Sequence, residues 1–215
     1  MMNDLTSESN SITNEVTMSK FFVGLNFSSD SLLSRKIMGF RKRFDPKYNH
    51  YSFPHMSMLA PFEVDARDVE NLTDTLKEEF ETFYYGSTQV PSLAFTGVGV
   101  FEYKRRNLLY LNPAYGADLN FCSEMVLDIC HTFRSKKLNY KENKKQFLPL
   151  GMFNTTEELH IVMENAKVEF QHNSELPIAS ISLYENRMGI WVEREVLVSF
   201  EENLGQLLHS NSTTI

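Results

Sequence analysis

Two histidines stand in matching company. His55 lies in "FPHMSMLAPF" (53–62) and His160 in "ELHIVMENA" (158–166), reading His-Met-Ser-Met and His-Ile-Val-Met. In an extended strand, residues i and i+2 share a face, so His55 is expected to project with Ser57 and His160 with Val162. Two such strands facing one another across a cleft bring both imidazoles toward one point. With an unperturbed pKa of about 6.5, one imidazole can accept a proton while its charged partner donates one. A hydroxyl beside the ring can bond a non-bridging phosphate oxygen. This is the equipment of metal-free phosphodiester chemistry. At a 2′,3′-cyclic phosphate, one histidine would activate water and the other protonate the departing ribose oxygen. Run in reverse, the same geometry joins a cyclic phosphate to a 5′-hydroxyl. Taken singly, a histidine on an apolar strand is more often a packed structural residue; only the pairing points to a site.

The elements that must hold this pair follow from hydrophobic periodicity. "KFFVGLNF" (20–27) reads as a buried strand. "SSDSLLSRKIMGFRKRF" (28–44) opens with capping residues and continues with Leu33, Ile37, Phe40 and Phe44 at helical spacing, ending at Asp45-Pro46. "HYSFPHMSMLAPF" is expected to be a second strand. "DARDVENLTDTLKEEFETF" (65–83) aligns Val69, Leu72, Leu76, Phe80 and Phe83 on one helical stripe. "SLAFTGVGVFEY" and "NLLYLNP" read as a hairpin across the charged turn "KRR", and 117–135 as a helix. A lysine-rich loop is expected through about Leu150, followed by three strands: "ELHIVMENA", "IASISLYEN" and "IWVEREVLVSF". The order β-α-β-α-β-β-α-β-β-β, with hairpins in place of regular crossovers, predicts an α+β fold built on antiparallel sheet.

Composition narrows the function classes. The net charge of −7 argues against a protein that coats long nucleic acid, because such binding is driven by phosphate neutralisation. It leaves room for a small anionic ligand or for local basic patches at 35–44, 103–106 and 134–145, each equally well read as a solvated face. No run approaches the ~18–20 apolar residues of a membrane helix, and the N-terminus lacks the pattern of a secretory signal, so a cytoplasmic location is expected. Residues 1–18 read as a disordered polar tail, 19–203 as a single domain and 204–215 as a second polar tail. Cys122 and Cys130, eight residues apart in one helix, are separated by about 12 Å, too far for a disulfide; both are expected in the core. "TGVGVF" (96–101) lacks the spacing of a dinucleotide-binding loop.

These motifs resemble the two-histidine (2H) phosphoesterase superfamily, specifically its 2′-5′ RNA ligase-like and RNA 2′,3′-cyclic phosphodiesterase group. The family motif is His-x-Thr/Ser-x, present twice, and "FPHMSMLAPF" matches the first copy, including the preceding proline. "KFFVGLNF", "FTGVGVFEYKRRNLLYLNP" and "IASISLYENRMGIWVEREVLVSF" resemble the family's first strand, central hairpin and closing strands, so the likeness covers roughly residues 20 to 200. It implies a bilobal fold, two pseudo-symmetric lobes of antiparallel sheet and helices around a central cleft; separately, a monomer is expected. It also implies metal-independent action on RNA ends or small cyclic or 2′-5′-linked nucleotides, with no cofactor. His55 and His160 would be the acid–base pair, with Ser57 holding the phosphate.

One position departs from the pattern. Val162 stands where the family has Thr or Ser, keeping threonine's shape but losing its hydroxyl; Glu164 and Asn165 follow where many relatives carry arginine. The second half-site therefore reads as degraded or retuned. The alternative to an enzyme is a nucleotide- or RNA-binding module of the same fold. Val162 is expected to line the cleft, and Tyr51, Phe53 and Phe62 either to stack on a base or to pack within the sheet. Arg105 and Arg106 at the hairpin turn are equally well an RNA contact or a plain exposed turn, while His50, His131, His172 and His209 read as surface residues. A metal held by His55, His160 and Glu164 has too few carboxylates to be favoured, so no metal is expected.

Overall fold

The computed structural model describes residues 17–48, 55–59, 61–87, 89–103, 106–114, 116–133, 146–171 and 175–201. Residues 1–16 of the N-terminal tail, the whole C-terminal tail, the lysine-rich stretch 134–145, Tyr51, Phe53, Arg105, His50, His172 and His209 lie outside these residues, as does the side chain of Arg106. Among the described residues no helix is long and apolar enough to cross a membrane.

The first strand, β1 (Met18–Phe27), alternates core-facing Phe21, Val23, Leu25 and Phe27 with Phe22, Gly24 and Asn26 on the opposite face. Helix α1 (Leu32–Phe44) starts where the Ser31 hydroxyl accepts the Ser34 N–H, and it buries Leu33, Ile37 and Phe40. Two short strands follow, β2 (Met56–Ser57) and β3 (Phe62–Asp65), in place of the single strand expected. Both pair with β1, with Leu25 opposite Met56 and Phe21 opposite Phe62. Helix α2 (Val69–Phe83) carries the predicted stripe, burying Val69, Leu72, Leu76 and Phe80. The hairpin β4 (Ser92–Tyr103) and β5 (Arg106–Ala114) and helix α3 (Ala117–Thr132) also lie where the sequence indicated. Cys122 and Cys130 are free thiols in the core.

Two elements correct the sequence reading. The end of the expected loop is a strand, β6 (Leu148–Phe153), paired with β5. "ELHIVMENA" is not a strand but part of helix α4 (Thr156–Glu169). Its start is an N-cap: the Thr155 hydroxyl accepts the Glu158 N–H at 3.1 Å, and Glu157 and Glu158 fill the first turn. Leu159, Val162 and Ala166 then face inward at helical spacing, with Phe170 just beyond.

The chain closes with the hairpin β7 (Glu175–Arg187) and β8 (Ile190–Ser199). Its turn puts Met188 and Gly189 at φ 53° and 85°, the left-handed pair that a tight hairpin needs. The antiparallel sheet runs β2-β1-β7-β4-β5-β6, with β3 added to β1 and β8 to β7. Strand β7 joins the two halves: Glu175–Pro177 pair with β4, and the rest runs between β1 and β8. The α+β class with antiparallel sheet expected from the sequence is therefore the class observed. An internal repeat is also visible, since β1-α1-β2 and β5-α3-β6 are both strand, helix and returning antiparallel strand.

Candidate functional site

His55 enters β2 on the face of the sheet turned away from the core. Its ring stacks on Phe22, with centroids 5.0 Å apart and planes inclined 22°, and on Tyr184, at 5.2 Å and 21°. Phe22 and Tyr184 lie nearly parallel at 4.8 Å, and Trp191 meets Phe22 edge-on at 4.7 Å. Gly24 makes room for these rings: a Cβ there would come within 2.9 Å of Phe22 Cε2 and 3.1 Å of Tyr184 Cε2. Burial lowers the pKa of His55, and the positive charge of Arg41 lowers it further. The imidazole is thereby favoured in its neutral form. Arg41 is itself mostly buried and bonds Asp45, Nη2 to Oδ2 at 3.2 Å.

Ser57 lies opposite Gly24 in the sheet register, and its hydroxyl donates to the Leu59 carbonyl. A phosphate at this point would meet that oxygen after rotation of the hydroxyl, beside the neutral imidazole. Next to the rings lies a polar cluster that the sequence reading did not anticipate. Asn26 Nδ2 reaches Ser180 Oγ and Ser182 Oγ at 2.9 Å each and Glu193 Oε1 at 3.1 Å, while Tyr184 donates its hydroxyl to Asn26 Oδ1 at 2.5 Å. Burial, then the Glu193 carboxylate, push the Tyr184 phenol up to about 12, so it stays protonated and donating. The signal was present as the alternation Ser180-Ile181-Ser182 between Ile178 and Leu183 in β7.

The remaining candidates are placed elsewhere. His160 projects outward from α4, 53% exposed, and its Nε2 lies 2.9 Å from Glu102 Oε1. Helix α4 packs across β4, β5 and β6, and Glu102 continues the Val98–Val100 row that packs against the core. His160 therefore belongs to the helix-covered side of the sheet, whereas His55 lies on the other. Among the described residues no contact links the two imidazoles. Val162, expected to line the cleft, is 9% exposed and packed in the core, because a helix turns it in beside Leu159. Phe62, a stacking candidate, is fully buried, its ring 6.3 Å from that of Phe21. His131 is exposed at the end of α3. Among the described residues no group of three or more His, Cys, Asp or Glu could hold a metal ion.

The internal repeat shows which residues stand opposite the first motif. In the first half Leu25 faces Met56 and Gly24 faces Ser57; in the second Leu109 faces Gly151 and Leu108 faces Met152. Set against each other in sequence by their prolines, Pro149-Leu150-Gly151-Met152 matches Pro54-His55-Met56-Ser57, and each run returns antiparallel to the strand before its helix. Leu150 occupies the place of the histidine and is fully buried, and Met152 occupies the place of the serine. A register irregularity between Leu109 and Tyr110 lies alongside Leu150. Asp45 Oδ1 accepts the Met152 N–H at 3.3 Å, so the Arg41–Asp45 pair connects this second half-site to the neighbourhood of His55. The echo of "FPHMSM" in "FLPLGMF" was legible, but the lysine-rich run before it led the segment to be read as loop.

No family model matches the sequence, and no curated protein matches it. Solved structures do resemble the fold. Kluyveromyces marxianus Usb1 superposes with a TM-score of 0.53 at 12% identity, covering 82% of this chain and 96% of that one. A structure described as a phosphoesterase gives 0.47 at 12% identity, with coverages of 84% and 97%. Escherichia coli LigT in apo form gives 0.46 at 11%, with 83% and 96%. The chain has the fold of that Usb1.

Proposed function

We propose that this chain binds the phosphate of an RNA end or a small cyclic or 2′-5′-linked nucleotide at the His55–Ser57 half-site, and that it does not turn over substrate through paired histidines. The observation that carries this reading is Leu150, a core leucine at the position that the internal repeat equates with His55. Acid–base cleavage of a cyclic phosphate needs one group to take a proton and another to give one. His160, bonded to Glu102 on the helix side of the sheet, is not positioned as that second group. The first half-site keeps what binding requires: a neutral imidazole N–H, a hydroxyl on the same face, and a buried arginine nearby. The fold shared with Usb1, together with the sequence likeness to 2′-5′ RNA ligase-like phosphoesterases, supports an RNA-end or nucleotide phosphate as the ligand class.

A second reading is favoured by the lowered pKa of His55. A ring held neutral is a competent general base, and His55 with Ser57 would then support slow hydrolysis of a 2′,3′-cyclic phosphate without a partner imidazole. One experiment separates the readings. The protein, with His55→Ala and His160→Ala, is titrated with 2′,3′-cyclic nucleotides in EDTA while hydrolysis is followed by chromatography. Binding without turnover, weakened about tenfold or more by His55→Ala and unchanged by His160→Ala, is the expected result. Turnover lost only in His55→Ala would support the single-base reading. Turnover abolished by both substitutions would restore a two-histidine cyclic phosphodiesterase and overturn the proposal.

A further inference from the structure

The cluster around Asn26 has a composition that packing does not explain. Three adjacent strands contribute to it on the face that carries His55: Asn26 from β1, Ser180 and Ser182 from β7, and Glu193 from β8. Ser182 is fully buried, and Tyr184 ties the cluster to the site by donating to Asn26 while its ring stacks on His55. Glu193 is exposed and, among the described residues, accepts one hydrogen bond, from Asn26 Nδ2. An ionised carboxylate only accepts hydrogen bonds and has room for several. It is held in place by an amide that is itself fixed on both sides, which is how a recognition group is preorganised.

We propose that Glu193, positioned by Asn26, reads hydrogen-bond donors on the nucleoside whose phosphate sits at His55 and Ser57, which makes the site selective for a nucleoside monophosphate or a terminal nucleotide. This inference rests on the phosphate-binding reading given above and assigns the other end of the same ligand. A group that meets Glu193 must donate, and a nucleoside offers two such sources: the ribose hydroxyls and the N–H groups of the base, an exocyclic amino group or a ring N–H. The carboxylate also repels a second phosphate, so di- and triphosphates are disfavoured. The hydroxyls of half-buried Ser180 and fully buried Ser182 fix Asn26 and need not touch the ligand.

Isothermal titration of the full chain tests this with inorganic phosphate, uridine 3′-monophosphate, its 2′-deoxy analogue and cytidine 3′-monophosphate. Uridine monophosphate is expected to bind at least about tenfold more tightly than inorganic phosphate, and Glu193→Gln to remove that difference while leaving inorganic phosphate unchanged. Glu195→Gln, which breaks the Lys77 pair two residues along β8, is expected to leave all affinities as they are. A loss confined to the deoxy analogue assigns the ribose as donor, and a gain confined to cytidine assigns the base. If nucleotides and inorganic phosphate bind alike, or Glu193→Gln retains the preference, the inference falls and phosphate binding stands. If nothing binds, both fall together.

Discussion

His55 is held between aromatic faces, and that contact has a pH consequence. Its pKa is lowered by burial first and by Arg41 second, from an ordinary value of 6.5 in the unfolded chain. Well above 6.5 both states are neutral and the native contact is fully available. As pH falls below 6.5 the unfolded chain takes up the proton first, so stability drops until the folded ring also titrates. We therefore expect urea denaturation to show wild type losing on the order of 1 kcal/mol or less between pH 7.5 and 5.5 through this group, with the slope flattened in His55→Gln. An unchanged slope would place the ring in a more solvated setting. At this scale the geometry of the first motif was legible in the sequence, since His55 and Ser57 share a face as strand geometry requires. It said much less about Glu193, whose meaning depends on Asn26, a residue 167 positions away in the chain.

Among the elements, α4 teaches the most. "HIVM" has the residue types of a strand, and resemblance to "HMSM" reinforced that reading. Local chemistry decides otherwise: Thr155 caps a helix at the Glu158 N–H, and the Glu, Ala and Lys around Ile161 and Val162 favour it. The change of period moves Val162 from a cleft wall into the core and His160 out to Glu102. Restoring a hydroxyl at this position consequently does nothing for chemistry. Val162→Thr is expected to lower stability by about 1 kcal/mol in urea titrations and to leave nucleotide binding and any turnover unchanged. A gain of turnover would return Val162 to the site. Strand β6 was missed for the opposite reason: a short apolar strand after a polar, lysine-rich run lacks the length over which periodicity is read.

Across the molecule, the two halves of the sheet share one hydrophobic core. Buried residues from β1, β5, β6 and all four helices form a single cluster, and β7 bonds to β1, β4 and β8 at once. Neither half has an independent core, so the described region should unfold as a unit. Trp191, the only tryptophan, reports on the His55 side through Phe22, while far-UV circular dichroism reports on all the helices. Coincident urea transitions by the two probes are expected, and separated midpoints would show that the halves open independently. The class of fold was legible because it depends on element order and hairpins. The relation between the two histidines was not, because it depends on which side of the sheet each element covers.

The place of β7 in the chain also bears on how the protein is made. β1 ends at Phe27, yet the residues that flank it on the inner side begin at Ile178. On a ribosome, β1 through α4 emerge before the strand that joins them, and both half-sheets expose an unsatisfied inner edge throughout that interval. Synthesis therefore leaves the nascent chain open to wrong strand pairing until β7 appears, and the docking of β7 between β1 and β4 is the event that ends this exposure, with β8 then folding back locally across the Met188-Gly189 turn.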